Sequence, residues 1–520
     1  MFPLLSVIIF LPLLGGIVML FLPGERLNTI RWTALGFAWL DLLLALGLLL
    51  GYSQALPGFN SAIIGASPTA MFFSNVHEHF DWIVTSNFTL SYSLDVDGIS
   101  ALLVVLTALL TVVSIGASFR IEQKVKNYMA FMLLLECGIL GVFLSSNLFL
   151  FYIFWELMLI PAYFLVGSWG GERRIYAAIK FVLYTSVGSL LMLAGIIAVG
   201  YYHQKLVGGG YTLDLATLLN GKLSNGVQIW LFLAFAAAFA VKVPLIPFHS
   251  WLPDAYSEAP YPVTAMLAGA MSKTGAYGFL RFCIQLFPDA AHTLAPLISV
   301  LAVIGILYCA LLALVQNDMK RLLAYSSVSH LGVIMLGMFA FNVQGIEGSV
   351  LQMVNHGITI AALFLLTGYL ENRIGTRRLS DLGGLAARIP ILATVMMIAV
   401  LSSLGLPGLN SFTGEFLALL GVYQKSTIFG LLGTAVVVPA AWYMIRFFLN
   451  SFEGPRRTDG PIVAVERKNL LTDMHLSEFM VILPLLILIF YIGFQPNPLT
   501  ALMEPSVTNL LQHFGIVTVP

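Results

Sequence analysis

Long apolar runs alternate with short polar connectors along the whole chain, and the runs share one length. A helix needs roughly 20 mainly apolar residues to cross a bilayer. By that measure fourteen runs qualify, at about 3–22, 30–51, 98–118, 127–145, 148–168, 178–200, 228–247, 262–286, 293–315, 321–340, 346–370, 390–424, 427–449 and 476–494. The first has no basic residues ahead of it and no small-residue cleavage site, and Pro3 and Pro12 interrupt it, so it is expected to be a retained helix and not a signal peptide. The pattern predicts an all-α polytopic membrane protein of about 14 transmembrane helices.

Two runs carry helix breakers at membrane depth. The seventh reads AVKVPLIPFHSW, with Pro244 and Pro247 just after Lys242. The twelfth is about 35 residues long, too long for one straight crossing, and contains GLPGLNSFTGE with Gly405, Pro407, Gly408 and Asn410. Proline removes a backbone donor, and unwound backbone inside a membrane survives only against protein or a water-filled cavity. Two discontinuous helices five spans apart cross in opposite directions, which points to inverted repeats. The expected organisation is three N-terminal helices with a long external loop at 52–95 (residues 1–120), a first five-helix repeat (121–290), a second, inverted one (291–450), and a polar loop, last helix and tail (451–520). Lys242 in one break is then expected to be the counterpart of Glu415 beside the other.

Composition narrows the class. The 520 residues are 59% hydrophobic and only 10% charged, too few charges to coat the surface of a soluble protein of this length. A disordered chain would be poor in apolar residues. The formal net charge is zero and no basic run stands out, so nucleic acid is not an expected partner. Cys137, Cys283 and Cys309 lie in apolar stretches without CxxC or Cys/His spacing, so neither a disulfide framework nor a cysteine metal site is implied. There is no GxGxxG strand–helix unit, P-loop or set of cluster ligands, and no cofactor is expected in this chain.

The cations set an orientation. One set of alternate connectors carries 18 of the 25 Lys and Arg residues, from Arg26 and Arg31 through Arg120, Arg173, Lys320 and Arg378 to Lys468. The opposite connectors carry only Lys205, Lys222 and Lys425. The positive-inside rule makes the first face cytoplasmic, and an even number of spans puts both termini on the opposite side. Lys180 and Arg281, near predicted helix ends, are expected to snorkel to the interface.

The remaining charges lie deep. A charge at mid-bilayer costs at least ~2.5–3.5 kcal/mol, so such residues usually have a role. Glu136 sits in the fourth run, Glu156 in the fifth, Lys242 in the seventh, Lys273 in the eighth, His330 in the tenth, His356 in the eleventh and Glu415 in the twelfth. Mixed signs on seven helices suggest a proton relay: burial makes a lysine readier to release its proton, and a nearby carboxylate reverses that. The alternative is a scaffold in which buried pairs only hold helices together.

Four stretches then resemble one family. AVKVPLIPFHSWLPDAYSEAP (240–260), NDMKRLLAYSSVSHLG (317–332), FWELMLIPAYFL (154–165) and GLPGLNSFTGEF (405–416) resemble signatures of the antiporter-like membrane subunits of respiratory complex I. The glutamate at 415 is similar to that of the M, or chain 4, branch. The resemblance implies that Glu156 and Lys242 form an ion pair, that Lys273 is the central relay lysine and Glu415 the terminal carboxylate. It further implies that His249, His330 and His356 stand along or beside the relay. Tyr256 departs from the pattern, which has histidine there, and Glu136 stands where many relatives are apolar. The resemblance implies NADH, flavin, iron–sulfur clusters and quinone in partner subunits, other complex I subunits and lipid as partners, and the bacterial inner membrane as location. A sodium/proton antiporter of the Mrp type and a membrane hydrogenase subunit are the related alternatives.

Overall fold

The computed structural model describes residues 3–55, 77–85, 88–208, 210–221, 223–454 and 471–513. Lys222, Arg456, Arg457, Arg467, Lys468 and much of the external loop, all used in the sequence reading, lie outside the described residues. The N-terminal group is α1 (Leu4–Phe21), α2 (Leu27–Ala55), a hairpin of β1 (His77–Val84) and β2 (Thr89–Asp95), and α3 (Gly98–Ala117). Next come α4 (Val125–Leu144), α5 (Leu148–Leu157), α6 (Leu159–Trp169), α7 (Arg174–Val207), α8 (Asn225–Lys242), α9 (Trp251–Glu258), α10 (Tyr261–Met266) and α11 (Lys273–Gly278). The second half holds α12 (Pro288–Val315), α13 (Met319–Met338), α14 (Val343–Ile374), α15 (Pro390–Ser403), α16 (Asn410–Lys425), α17 (Thr427–Thr434), α18 (Val437–Phe452), α19 (Leu476–Phe494) and α20 (Asn497–His513).

Every expected run falls on helix, continuous or broken. Eleven helices among the described residues are long and apolar enough to cross a membrane. The run at 262–286 is divided by two π-helical turns, Leu267–Met271 and Phe279–Ile284, and the twelfth is split into α15 and α16. The core is largely apolar, and the outward helix faces are apolar too, while polar side chains within the spans are kept inside, as a lipid solvent demands. On α7, Leu183, Val187 and Leu190 are exposed, whereas Thr185 and Ser189 are buried. The most enclosed helix is α14, which buries Gln352, Asn355, His356 and Thr359 between α13 and α16.

The hairpin and α20 were not among the expected elements, although Leu90, Tyr92 and Leu94 alternate with Ser91 and Ser93 along β2. β1 and β2 pair antiparallel, with Phe80 opposite Tyr92. Glu78 of β1 is buried and accepts from the Leu5 amide at 2.7 Å and the Ser6 amide at 3.2 Å, so the hairpin supplies a carboxylate to the N-terminus of α1. Helix α20 docks on α3 where Gly98 leaves room: a Cβ at position 98 would overlap the Leu502 carbonyl oxygen, and the Gly98 amide donates to Ser506 Oγ at 3.1 Å. Gly98→Val is therefore expected to release α20 while the spans persist. Faster protease cleavage within 497–513 would register this, and unchanged protection would contradict it.

The two cations expected at the interface are paired inside the protein. Lys180 Nζ donates to Asp254 Oδ2 at 2.7 Å and to the Ser250 carbonyl at 2.8 Å. Arg281 Nη2 lies 2.5 Å from Asp97 Oδ2, and its Nε donates to Tyr277 Oη at 3.2 Å. Each acidic partner comes from an element distant in sequence, the helix after the first break or the N-cap of α3, so position along the span could not reveal it.

Candidate functional site

The two breaks are built alike. The Leu245 amide reaches back five residues to the Ala240 carbonyl at 2.9 Å, and the Leu406 amide reaches Leu401 at 3.2 Å. Each widened turn frees carbonyls that need partners. At the first break the Trp251 indole donates to Val241 at 2.8 Å. Past the second, reciprocal bonds tie the start of α16 to α14: Asn355 Nδ2 donates to the Asn410 carbonyl at 2.7 Å and Asn410 Nδ2 to the Asn355 carbonyl at 3.2 Å. The left-handed φ values of Gly405 and Gly408, 71° and 93°, explain the two glycines of GLPG. Aligned on the shared closure, Lys242 falls opposite Ser403, not Glu415. Lys242 ends the helix before its break, and Glu415 lies in the helix after the other. The expected counterpart relation is therefore corrected: composition around the breaks matched, but the register did not.

Glu156 stands at a kink. Pro161 has no N–H for the Leu157 carbonyl, and the helix divides between α5 and α6 at Met158. Lys242 is fully buried, its Nζ 5.2 Å from the Trp155 ring and 5.5 Å from the Phe181 ring. Neither Lys242 Nζ nor Glu156 Oε1 has a hydrogen-bond partner. The structure brings the two residues into one neighbourhood and holds them apart, with aromatic faces in place of a carboxylate at the ammonium.

Lys273 opens α11 between the two π turns, a geometry that often marks functional sites. Its Nζ donates to the Ala268 carbonyl in the widened turn and lies 2.7 Å from His356 Nδ1. Gly275 lets α11 rest on Lys242, because a Cβ there would stand 2.9 Å from the Lys242 Cβ. The His356 and His330 ring centroids are 5.6 Å apart. His330 Nδ1 lies 2.5 Å from Glu415 Oε1, which also accepts from Gln352 Nε2 at 2.9 Å. Four expected site residues thus form one line: Lys273, His356, His330, Glu415. The Nε2 atoms of both histidines have no protein partner, and both rings line a cavity of about 10 Å³ with Gln352, Thr359, Ser403 and Ser411. That is room for about one water.

Two further expected residues stand apart from both this line and the Glu156–Lys242 neighbourhood. His249 packs edge-on against Tyr308, ring centroids 5.8 Å apart, in the first break. Glu136 is fully buried and interacts with Asp41 of α2, also fully buried. Sequence reading missed Asp41, although a carboxylate inside AWLDLLLALG was a visible signal. It also missed Gln352. Tyr256, at the histidine position of the pattern, donates its hydroxyl to the Leu267 carbonyl at 3.1 Å, tying α9 to the first π turn.

A family model described as NADH:quinone oxidoreductase/Mrp antiporter, TM, matches residues 145–438. NADH-quinone oxidoreductase subunit M of Rhodobacter capsulatus is 38% identical, over 98% of this chain and 97% of its own length. The chain belongs to the subunit M family of NADH-quinone oxidoreductases. A chain of the respiratory complex I of Thermus thermophilus superposes with a TM-score of 0.83 at 31% identity, covering 98% of this chain and all of that one. A chain of the Mrp complex from a Dietzia species superposes at 0.81 with 21% identity, covering 99% of this chain and all of that one, and so shares the fold. Among the described residues no group of three or more His, Cys, Asp or Glu side chains could hold a metal ion.

Proposed function

We propose that this chain is a proton-translocating membrane subunit of an NADH:quinone oxidoreductase, and that Glu156, Lys242, Lys273, His356, His330 and Glu415 carry the protons. Electron transfer from NADH to quinone belongs to partner subunits, which hold the flavin, the iron–sulfur clusters and the quinone. The observation that carries this reading is the continuity from Lys273 through the two histidines to Glu415. Four ionisable groups in sequence, with one water-sized gap, are what stepwise proton transfer needs and what a set of isolated structural pairs does not need.

The chemistry is a transfer between neighbours. The Lys273 ammonium gives a proton to His356 Nδ1. The imidazolium releases one from Nε2 to a water in the cavity, and that water protonates His330 Nε2. His330 then releases its Nδ1 proton to Glu415. Upstream, Lys242 holds its proton more tightly when Glu156 approaches and less tightly when the aromatic rings replace it. The neighbours of the chain are other antiporter-like subunits of the same complex in a bacterial inner membrane. The cation-rich face is cytoplasmic, with both termini opposite. Reporter fusions after Arg378 and after Pro520 should fall on opposite sides, and finding both on one side would overturn the orientation.

The function itself is tested with the complete complex in liposomes. NADH oxidation by quinone should acidify the lumen, and Lys273→Ala should lower the protons moved per electron while NADH oxidation by a soluble acceptor continues. Unchanged proton yield in that variant, or uptake of sodium in place of protons, would overturn the reading.

A further inference from the structure

The line has one joint without a direct bond, between the two imidazoles, and a third side chain reaches that joint. Gln352 is 1% exposed and stands one turn before His356 on α14, so the two share a face. Its Nε2 donates to Glu415 Oε1 at 2.9 Å. An ionised carboxylate only accepts, so this contact fixes the amide: the NH2 end lies on Glu415 and the carbonyl end points away. Gly414 of α16 makes room for that end, because a Cβ there would stand 2.7 Å from Gln352 Oε1. A glycine offers no side-chain donor, and Gln352 Oε1 is buried without a partner.

Nε2 of His330 and Nε2 of His356 are buried and unpartnered as well, and all three side chains line the cavity of about 10 Å³. Thr359, another polar residue on its wall, is engaged with Ser402 at 2.8 Å and with Asn410 at 3.2 Å. Three open polar atoms around room for one water are enough to hold it. A buried carbonyl left without a donor costs free energy, and a water in the cavity removes that cost.

The hydrogens then have one arrangement. The Lys273 ammonium only donates, so His356 accepts at Nδ1 and carries its ring hydrogen on Nε2. The Glu415 carboxylate only accepts, so His330 carries its hydrogen on Nδ1 and leaves Nε2 open. The water accepts from His356 Nε2 and donates one hydrogen to His330 Nε2. Its other hydrogen goes to Gln352 Oε1.

We propose that Gln352 is a positioning residue of the line. Its carbonyl pins one hydrogen of the bridging water so that the other faces His330, and its NH2 group holds Glu415 ready to receive. The proposal rests on the reading that the line carries protons. Lys273 Nζ gives a proton to His356 Nδ1, His356 Nε2 gives one to the water, the water gives one to His330 Nε2, and His330 Nδ1 gives one to Glu415. Each hop breaks one bond to hydrogen and forms another. The water is regained, and one proton has moved from Lys273 to Glu415. Gln352 neither gains nor loses a proton, which separates it from the groups that carry them.

Gln352→Met keeps the length and bulk of the side chain and deletes both bonds. In the complete complex in sealed vesicles it should lower pumping per complex by about tenfold, one added barrier of ~1.4 kcal/mol. The slowed step is a proton hop, so the ratio of pumping in H2O to pumping in D2O should rise above the parent's. A loss of helix packing alone would lower the amount of complex and leave that ratio unchanged. Gln352→Asn keeps an amide too short to reach both partners and should show the same two changes in weaker form. It carries the test if Gln352→Met does not assemble. Lys273→Ala should stop pumping. If Lys273→Ala pumps normally, the line itself is refuted. If Lys273→Ala fails while the Gln352 variants pump like the parent, the line stands and the role of Gln352 is refuted. A Gln352 deficit with the parent's isotope ratio would also refute that role.

Discussion

Lys242→Ala is expected to remove most proton pumping, about tenfold or more, from a complex that still assembles and still oxidises NADH. The Lys242 ammonium has no hydrogen-bond partner and lies between aromatic rings, so its removal leaves no acceptor unpaired. A charge buried without a bonded partner is a burden on the fold, and alanine relieves it. What is lost is the one group on α8 that can take a proton and be switched by Glu156. Glu156→Gln should act in the same direction, because it keeps the shape at the α5–α6 kink and deletes the charge to which Lys242 responds. The check is a pH-sensitive dye in sealed vesicles, normalised to complex content. Full pumping in either variant would reject the pair as a switch.

The second large effect separates function from structure at two partly buried charges. Glu415→Gln can still meet Gln352 and His330 and should assemble normally, yet it ends the line with a group that cannot hold a proton. Pumping per complex should fall as far as for Lys242→Ala. Arg281→Ala should do the opposite. Arg281 neutralises Asp97 at the N-cap of α3 in a pair whose side chains are 17% and 24% exposed, so removing one partner costs less than the ~3–5 kcal/mol of a fully buried pair but still destabilises. That variant should be depleted from membranes, and the complex that remains should pump normally. Adding Asp97→Asn should restore its amount. Poor pumping per complex in Arg281→Ala, or loss of protein in Glu415→Gln, would reverse these assignments.

Much of this was legible in the chain. Run length located the helices, because a bilayer has one thickness. Pro244, Pro247, Gly405 and Pro407 located both breaks, because they remove donors or permit left-handed turns. The deep charges located the line, because hydrocarbon tolerates so few. Other features were hidden for physical reasons. Helical periodicity says which face a residue occupies but not who stands opposite, so the partners of Lys180 and Arg281 stayed invisible. The register of the breaks depends on a five-residue backbone closure that no side chain announces. The hairpin did carry a signal, the alternation of Phe88, Leu90, Tyr92 and Leu94 with Thr89, Ser91 and Ser93, but it is a strand period that a measure of twenty-residue apolar runs passes over, and α20 is too short and too polar to qualify as a span.

The central claim is that Lys273 and Glu415, which do not touch, belong to one path. A double-substitution cycle on pumping per complex tests it most directly, comparing Lys273→Ala, Glu415→Gln and both together. Groups that act as one unit lose function together and non-additively. The account predicts that the double variant pumps as poorly as either single variant and no worse. Losses that multiply would contradict it, because they would place the two residues on separate routes.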